Sequence, residues 1–294
     1  MAEQSWVESQ ATAATEWEEV EMTRMTTSGG KEEKNDDSAV HRASLVACSF
    51  ESLWTRLTAF PLIDAKAAAR EAIDQSRAAG RRRRRPTLLC FGSGASRQQL
   101  PPALADEQLL IVTMTKVPYN DSDSLHWELL YSVYKHMIND RSNQSRVPRI
   151  GAHWETIGFQ GDDPATDLRG VGIFGLCQLL FLISEGLNSQ MVAKLLDLSR
   201  DDRQNFPLSV VGLNFTKMII DRLKQGKLNK LILKENSCIT IVNGIYRGCF
   251  LIFYRMWVSR KCTILDFNAV STEINDTVKR RPKYLLNMAN LPEA

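Results

Sequence analysis

The sequence predicts an all-α fold, on three observations. From about residue 106 onward, apolar residues recur at the three-to-four spacing of a helix face. Glycine or proline closes most of these stripes, as helix ends require. Ahead of them runs a segment with too few apolar residues to form a packed element.

That segment, residues 1–48, is predicted to be a disordered acidic leader. Its stretch from Gly29 to Ser38, GGKEEKNDDS, holds no apolar side chain. Burial there cannot offset the entropy of ordering the backbone. Residues 49–105 read as a partly helical extension, with Leu53, Leu57 and Phe60 at helical spacing in an amphipathic patch from Phe50 to Ala79. Arg81 to Arg85 is a basic run closed by Pro86, read as a solvated linker rather than an import signal or polyanion patch. Gly92-Ser93-Gly94 lacks the third glycine and following helix of a nucleotide loop, and reads as a turn.

Residues 106–294 form the predicted helical domain. Asp106 to Thr115 is a short apolar run ended by Pro118. Asp123 or Ser124 caps a helix whose Leu125, Leu129, Val133 and Met137 make one stripe. Val171 to Glu185 is apolar all round and stops at Gly186, the pattern of a central buried helix. Ser189 to Leu198 follows. A helix begins near Pro207, carries Leu208, Val211, Phe215, Ile219 and Leu223, and ends at Gly226. Ile239 to Trp257 repeats Ile241, Ile245, Cys249, Ile252 and Met256, although its β-branched content leaves a strand open. Asp266 to Val278 is the last helix, broken by Arg281-Pro282.

Composition excludes several classes. The longest apolar stretch, Val171 to Ile183, is thirteen residues, too short to cross a bilayer. The polar, acidic opening MAEQSWVESQ carries no secretory signature. Cys48, Cys90, Cys177, Cys238, Cys249 and Cys262 form no C-x-x-C pair, so reduced, mostly buried thiols in a cytoplasmic chain are expected. Net charge is +3 but unevenly spread: residues 1–40 carry −7 and the remainder +10. A basic body fits an acidic partner face, yet the arginine run stands without the aromatic-interleaved basic segments of a nucleic-acid binder.

One segment does not look like packing. His153 to Gly172, HWETIGFQGDDPATDLRGVG, holds four of the sixteen glycines in twenty residues. Glycines this dense imply a loop with unusual backbone angles or close backbone approach. Asp163-Pro164 reads as a helix start, with the aspartate as N-cap, presenting Thr166, Asp167 and Arg169 just before the central helix. Asp162, Asp163 and Asp167 with His153 are read as caps and loop residues rather than metal ligands. Trp154 and Phe159 read as core anchors, and Gln160 as a loop-stabilising amide. Two readings of Arg169 compete: a functional guanidinium, or a salt bridge to Asp167 or Asp163 that pins the loop.

This string resembles the signature of the ELMO domain family. The matching residues are Trp154, Ile157, Gly158, Phe159, Gln160, Gly161, Asp163, Pro164, Thr166, Asp167, Arg169, Gly170 and Gly172. The likeness continues through Leu198 to Leu223 and Asn243 to Trp257, and covers about residues 106–280. It implies a single helical ELMO domain that acts as a GTPase activator for small GTPases of the Arf/Arl class, with Arg169 as an arginine finger supplied in trans. A guanidinium suits that role because it stabilises charge on the γ-phosphate oxygens and never deprotonates. Gly170 and Gly172 would let the loop approach a nucleotide, and Asp167 would either poise or neutralise the arginine. The resemblance implies no cofactor of the chain's own: GTP and magnesium would belong to the GTPase. It also implies membrane association only through that partner, and cytoskeletal association. Its alternative is a non-catalytic scaffold module in small-GTPase signalling, as in the engulfment-and-motility scaffolds.

Overall fold

The structure is a computed structural model that describes residues 46–59, 63–82, 98–138 and 147–288. Residues 1–45 of the predicted leader, Phe60, Arg83 to Arg85, Cys90 and the Gly92-Ser93-Gly94 turn lie outside those residues, whereas the leader's last residues, 46–48, are described and the Cys48 amide donates to Ser132 Oγ at 3.0 Å. Eleven α-helices and no strand occur among the described residues, so the all-α expectation holds.

Helices α1 (Phe50–Thr58) and α2 (Ile63–Arg82) replace the single patch read from sequence. They bury Phe50, Leu53, Leu57, Ala69 and Ile73 in the same core as the later helices. Helix α1 is tied across the body. Ser184 Oγ accepts from the Phe50 amide at 3.2 Å, and Glu185 Oε1 accepts from the Glu51 amide at 2.8 Å. Two of the unpaired donors of its first turn are thereby satisfied.

Helix α3 (Pro102–Met114) starts four residues before the predicted run, with proline in the first turn, where a missing N–H costs nothing. Helix α4 (Ser124–Met137) is capped by Asp123, whose side chain accepts from the Leu125 amide at 2.9 Å. Helix α5 (Gly172–Phe181) is the central helix, with every residue from Gly172 to Leu180 buried, and a π-type turn over Leu182–Gly186 ends it. Helices α6 (Ser189–Ser199) and α7 (Leu208–Lys224) follow as predicted.

A short helix α8 (Asn229–Glu235) lies where the sequence showed none. Its seven residues are too few to display a periodic face. Helix α9 (Cys238–Arg260) settles the helix-or-strand ambiguity. Its aromatic residues pack in the core: Phe253 meets Phe206 edge-on at 4.8 Å and stacks on Trp257 at 4.8 Å, and Phe250 meets Phe215 edge-on at 5.1 Å. Helix α10 (Phe267–Arg280) is followed by α11 (Pro282–Met288), so Pro282 begins a helix as well as ending one.

No single helix among the described residues is long and apolar enough to cross a membrane. The described cysteines Cys48, Cys177, Cys238, Cys249 and Cys262 are free thiols.

The buried start of α9 needs more than its Ser237 cap. Glu107 on α3 supplies it, accepting from the Cys238 amide at 2.8 Å, the Ile239 amide at 2.9 Å and Ser237 Oγ at 3.1 Å. A carboxylate at a helix N-terminus also meets the positive end of the dipole. Glu107→Ala should therefore cost about 1–3 kcal/mol of stability, read as a lowered Tm in a thermal scan. An unchanged Tm would show that α9 does not depend on this cap.

Candidate functional site

The glycine-rich segment lies between α4 and α5 and folds as two short 3₁₀ turns, Ala152–Ile157 and Pro164–Leu168. The first is held from inside. Trp154 is fully buried, and its indole N–H donates to the Arg149 carbonyl at 3.0 Å. The end of this turn is joined to the start of α7: Ser209 Oγ donates to the Ile157 carbonyl at 2.6 Å, and the Val210 amide donates to the Gly158 carbonyl at 3.0 Å. Gly158 has φ +83, and a Cβ there would stand 2.2 Å from the Leu208 nitrogen. Both the backbone angle and the space demand glycine.

Gly172 is the matching contact at the other end of the segment. A Cβ on it would meet the Met114 and Val117 carbonyls at 2.6 Å. The expected close approach is therefore to the protein's own backbone rather than to a nucleotide, and this corrects the sequence reading of Gly172. Gly161 and Gly170 differ: nothing lies within 4 Å of a Cβ at either, so both face open space.

The second turn starts as predicted. Asp163 caps it by accepting from the Ala165 amide at 2.9 Å, with Pro164 at the first position, and Thr166 Oγ1 donates to the Asp163 carbonyl at 2.8 Å. Asp167 folds back and accepts from the Gln160 amide at 2.6 Å. Gln160 thus contributes its backbone to the loop closure, while its side chain is half-buried. Burial lifts the Asp167 carboxyl from 3.8 to about 6, and the nearby Asp163 charge adds to the rise. The Gln160 hydrogen bond and the Arg169 charge oppose it.

The residue that pins this loop is Arg149. Its Nη1 lies 2.7 Å from Asp163 Oδ1 and its Nε 2.5 Å from Asp121 Oδ1, while its guanidinium stacks on the Tyr119 ring at 4.5 Å. Only 9% of this side chain is exposed. Arg149 stands just outside the glycine-rich string, and its two carboxylates are 28 and 14 residues away. No local pattern links them in sequence; a lone arginine in V-P-R-I-G offers no signal.

Arg169 is different. It ends the second turn, is exposed, and makes no ion pair or side-chain hydrogen bond among the described residues. The salt bridge from Arg169 to Asp163 or Asp167 is therefore not the structure's arrangement: Arg149 takes Asp163, and the Gln160 amide takes Asp167. The structure brings Gln160, Asp163, Asp167 and Arg169 into one small loop, with Gly161 and Gly170 open beside them. Trp154, Gly158 and Gly172 belong to its interior support. His153 packs against Tyr134 at 5.2 Å and Trp154 at 4.7 Å, and burial pushes its imidazole below the ordinary value.

The chain belongs to the ELMO/CED-12 family, whose sequence model matches residues 110–271. Among its relatives are ELMO domain-containing protein 3 of Bos taurus, 31% identical over 212 residues, or 70% of this chain and 55% of the relative. The Homo sapiens protein of that name is 31% identical over 217 residues, or 72% and 56%. ELMO domain-containing protein B of Dictyostelium discoideum is 28% identical over 166 residues, or 56% of each. The chain thus spans about half the length of these curated relatives. No solved structure matches it.

Two outcomes follow from this geometry. Arg149→Met leaves two carboxylates without their cation and should cost about 1–3 kcal/mol, discounted for the exposure of the two acids. Because Asp167 holds its proton more tightly when folded, its contribution to stability is fullest below 3.8 and is lost as pH rises to about 6. Asp167→Asn should remove that dependence, so the Tm difference between variant and wild type should move in the variant's favour across this window. A constant difference would show that Asp167 does not titrate there.

Proposed function

We propose that this domain accelerates GTP hydrolysis by a small GTPase of the Arf/Arl class, supplying Arg169 in trans to the nucleotide. The observation that carries the reading is the contrast within one loop. Every other charged or capping group in the second turn is committed to the loop's own structure, whereas the Arg169 guanidinium is exposed and unpaired among the described residues.

That contrast is what a finger requires. A guanidinium already bound to an internal carboxylate would have to break that pair before reaching a phosphate, which costs about 3–5 kcal/mol when the pair is buried. A free guanidinium on a pinned backbone loses less entropy on docking, because its main chain is already ordered. The open surroundings of Gly161 and Gly170 leave room for a partner's backbone beside it. The family resemblance supports the same assignment, since the arginine of this signature is the one implied to act. GTP and its magnesium belong to the partner, and the domain needs no cofactor for this chemistry. It regulates another protein's turnover and has none of its own.

The test is single-turnover GTP hydrolysis by a panel of Arf and Arl proteins, with wild-type protein, Arg169→Ala and Arg169→Lys. Wild type should accelerate one or more of them, and Arg169→Ala should lose roughly 10³–10⁵ of that acceleration. Its affinity for the GTP-bound partner and its Tm should stay near wild type. Arg169→Lys should fail as well, because an ammonium cannot reproduce the planar two-donor fork. Full acceleration by folded Arg169→Ala would discard the finger and leave a non-catalytic binding module.

A further inference from the structure

Three helix C-terminal regions are linked by side-chain hydrogen bonds at the end of α7 opposite the signature loop. Arg222 Nη2 near the end of α7 donates to the Lys279 carbonyl near the end of α10 at 2.9 Å. Arg77 Nη2 near the end of α2 donates to Gln108 at 3.0 Å, and Gln108 Nε2 donates to the Leu223 carbonyl at 2.8 Å. The chain around these ends is strongly basic. Residues 77–79, 217–227 and 276–284 together hold nine Lys or Arg against two Asp.

Helix C-termini attract cations through their dipoles, and that alone would explain about one per helix. The surplus is much larger. Asp221 pairs with Lys224 at 2.7 Å, and Asp276 lies 3.8 Å from Lys279 and 3.6 Å from Arg280. The Arg280 side chain is nonetheless 79% exposed, and Lys227, Arg281 and Lys283 are exposed as well. Among them stands Tyr284, 44% exposed, with the Arg281 guanidinium 4.8 Å from its ring centroid.

We infer that this basic pole is a docking surface for an anionic lipid bilayer. Clustered Lys and Arg gain from the negative surface potential of acidic lipids, and a tyrosine with one apolar face and one polar end suits the headgroup layer. A nucleic-acid surface would call for several stacking aromatics; among the described residues, Tyr284 is the one large aromatic that stands exposed at this pole. The contact proposed is peripheral, with side chains at helix ends meeting the lipid headgroups. It is also independent of the proposed GTPase reading. The signature loop rests on Leu208 and Ser209 at the start of α7, while the pole gathers at its end. Seventeen residues of helix separate the two, about 25 Å at 1.5 Å per residue.

The test is co-sedimentation of the full chain with vesicles of phosphatidylcholine alone, and of phosphatidylcholine and phosphatidylserine in equal parts. Binding should appear only with phosphatidylserine and should weaken as salt is raised. Replacing Lys279, Arg280, Arg281 and Lys283 together by glutamine should weaken it at least about tenfold without lowering the Tm. Arg169→Ala should bind vesicles as wild type does. Equal binding to both vesicles, or an unaffected quadruple variant, overturns the inference. So does tighter binding to double-stranded RNA than to the acidic vesicles. If binding appears only after the acids of residues 1–40 are changed to amides, the pole's occupant is that segment and not a bilayer.

Discussion

The signature loop depends on one buried cation shared by two carboxylates. Asp121 lies before α4 and Asp163 after it, and Arg149 joins them across that helix while its aliphatic and guanidinium faces rest on Tyr119. Mutual repulsion between such acids would otherwise open the segment, and an arginine this buried would not be tolerated without them. The cap that Asp163 gives the second turn, and hence the direction in which Arg169 leaves it, follows from this cluster. Lysine could not substitute, because one ammonium cannot reach two carboxylates and stack on a ring together.

The loop's backbone imposes a second condition. A segment with buried amides and carbonyls must satisfy them internally or through its neighbours. Here the Ile157 and Gly158 carbonyls accept from the first turn of α7, the Val117 carbonyl accepts from Ile173, and Asp167 takes the Gln160 amide. Helix α7 gives its side-chain hydroxyl and amide at the place where its own first turn has donors to spare. Loop and helix end therefore complete each other. With the main chain fixed on both sides, freedom is confined to exposed side chains, and Arg169 is the exposed cation among them.

Most of the fold was legible because it is written in local periods. The stripes of α4, α5, α7, α9 and α10, and the caps at Asp123 and Asp163, need only residues within a few positions of one another. The hidden parts are non-local or short. Arg149 acts through partners far away in the chain, Glu107 caps a helix it does not belong to, and α8 has too few residues for a period to show. Gly172 shows the limit from the other side. Its need for glycine was visible, but sequence could not say whether the crowding backbone belonged to a ligand or to Met114 and Val117. The free state of Arg169 was likewise undecidable from D-L-R-G, where a pair with Asp167 looked equally natural.

Charge is arranged along α7 as well as geometry. Residues 149–170, at its start, hold four acids against Arg149 and Arg169, while the far end is densely basic. Each sign is tolerated where it sits: carboxylates serve as caps at turn N-termini, and cations lie at helix C-termini. Loop and pole thus lie at opposite ends of α7. On the proposed reading, an acidic bilayer would draw the basic end inward and turn the signature loop outward, with Arg169 toward the GTPase proposed as its partner. Orientation of this kind needs no dedicated hinge or lid. It follows from helix ends that were stabilised by the same charges, so that folding and presentation draw on one set of residues.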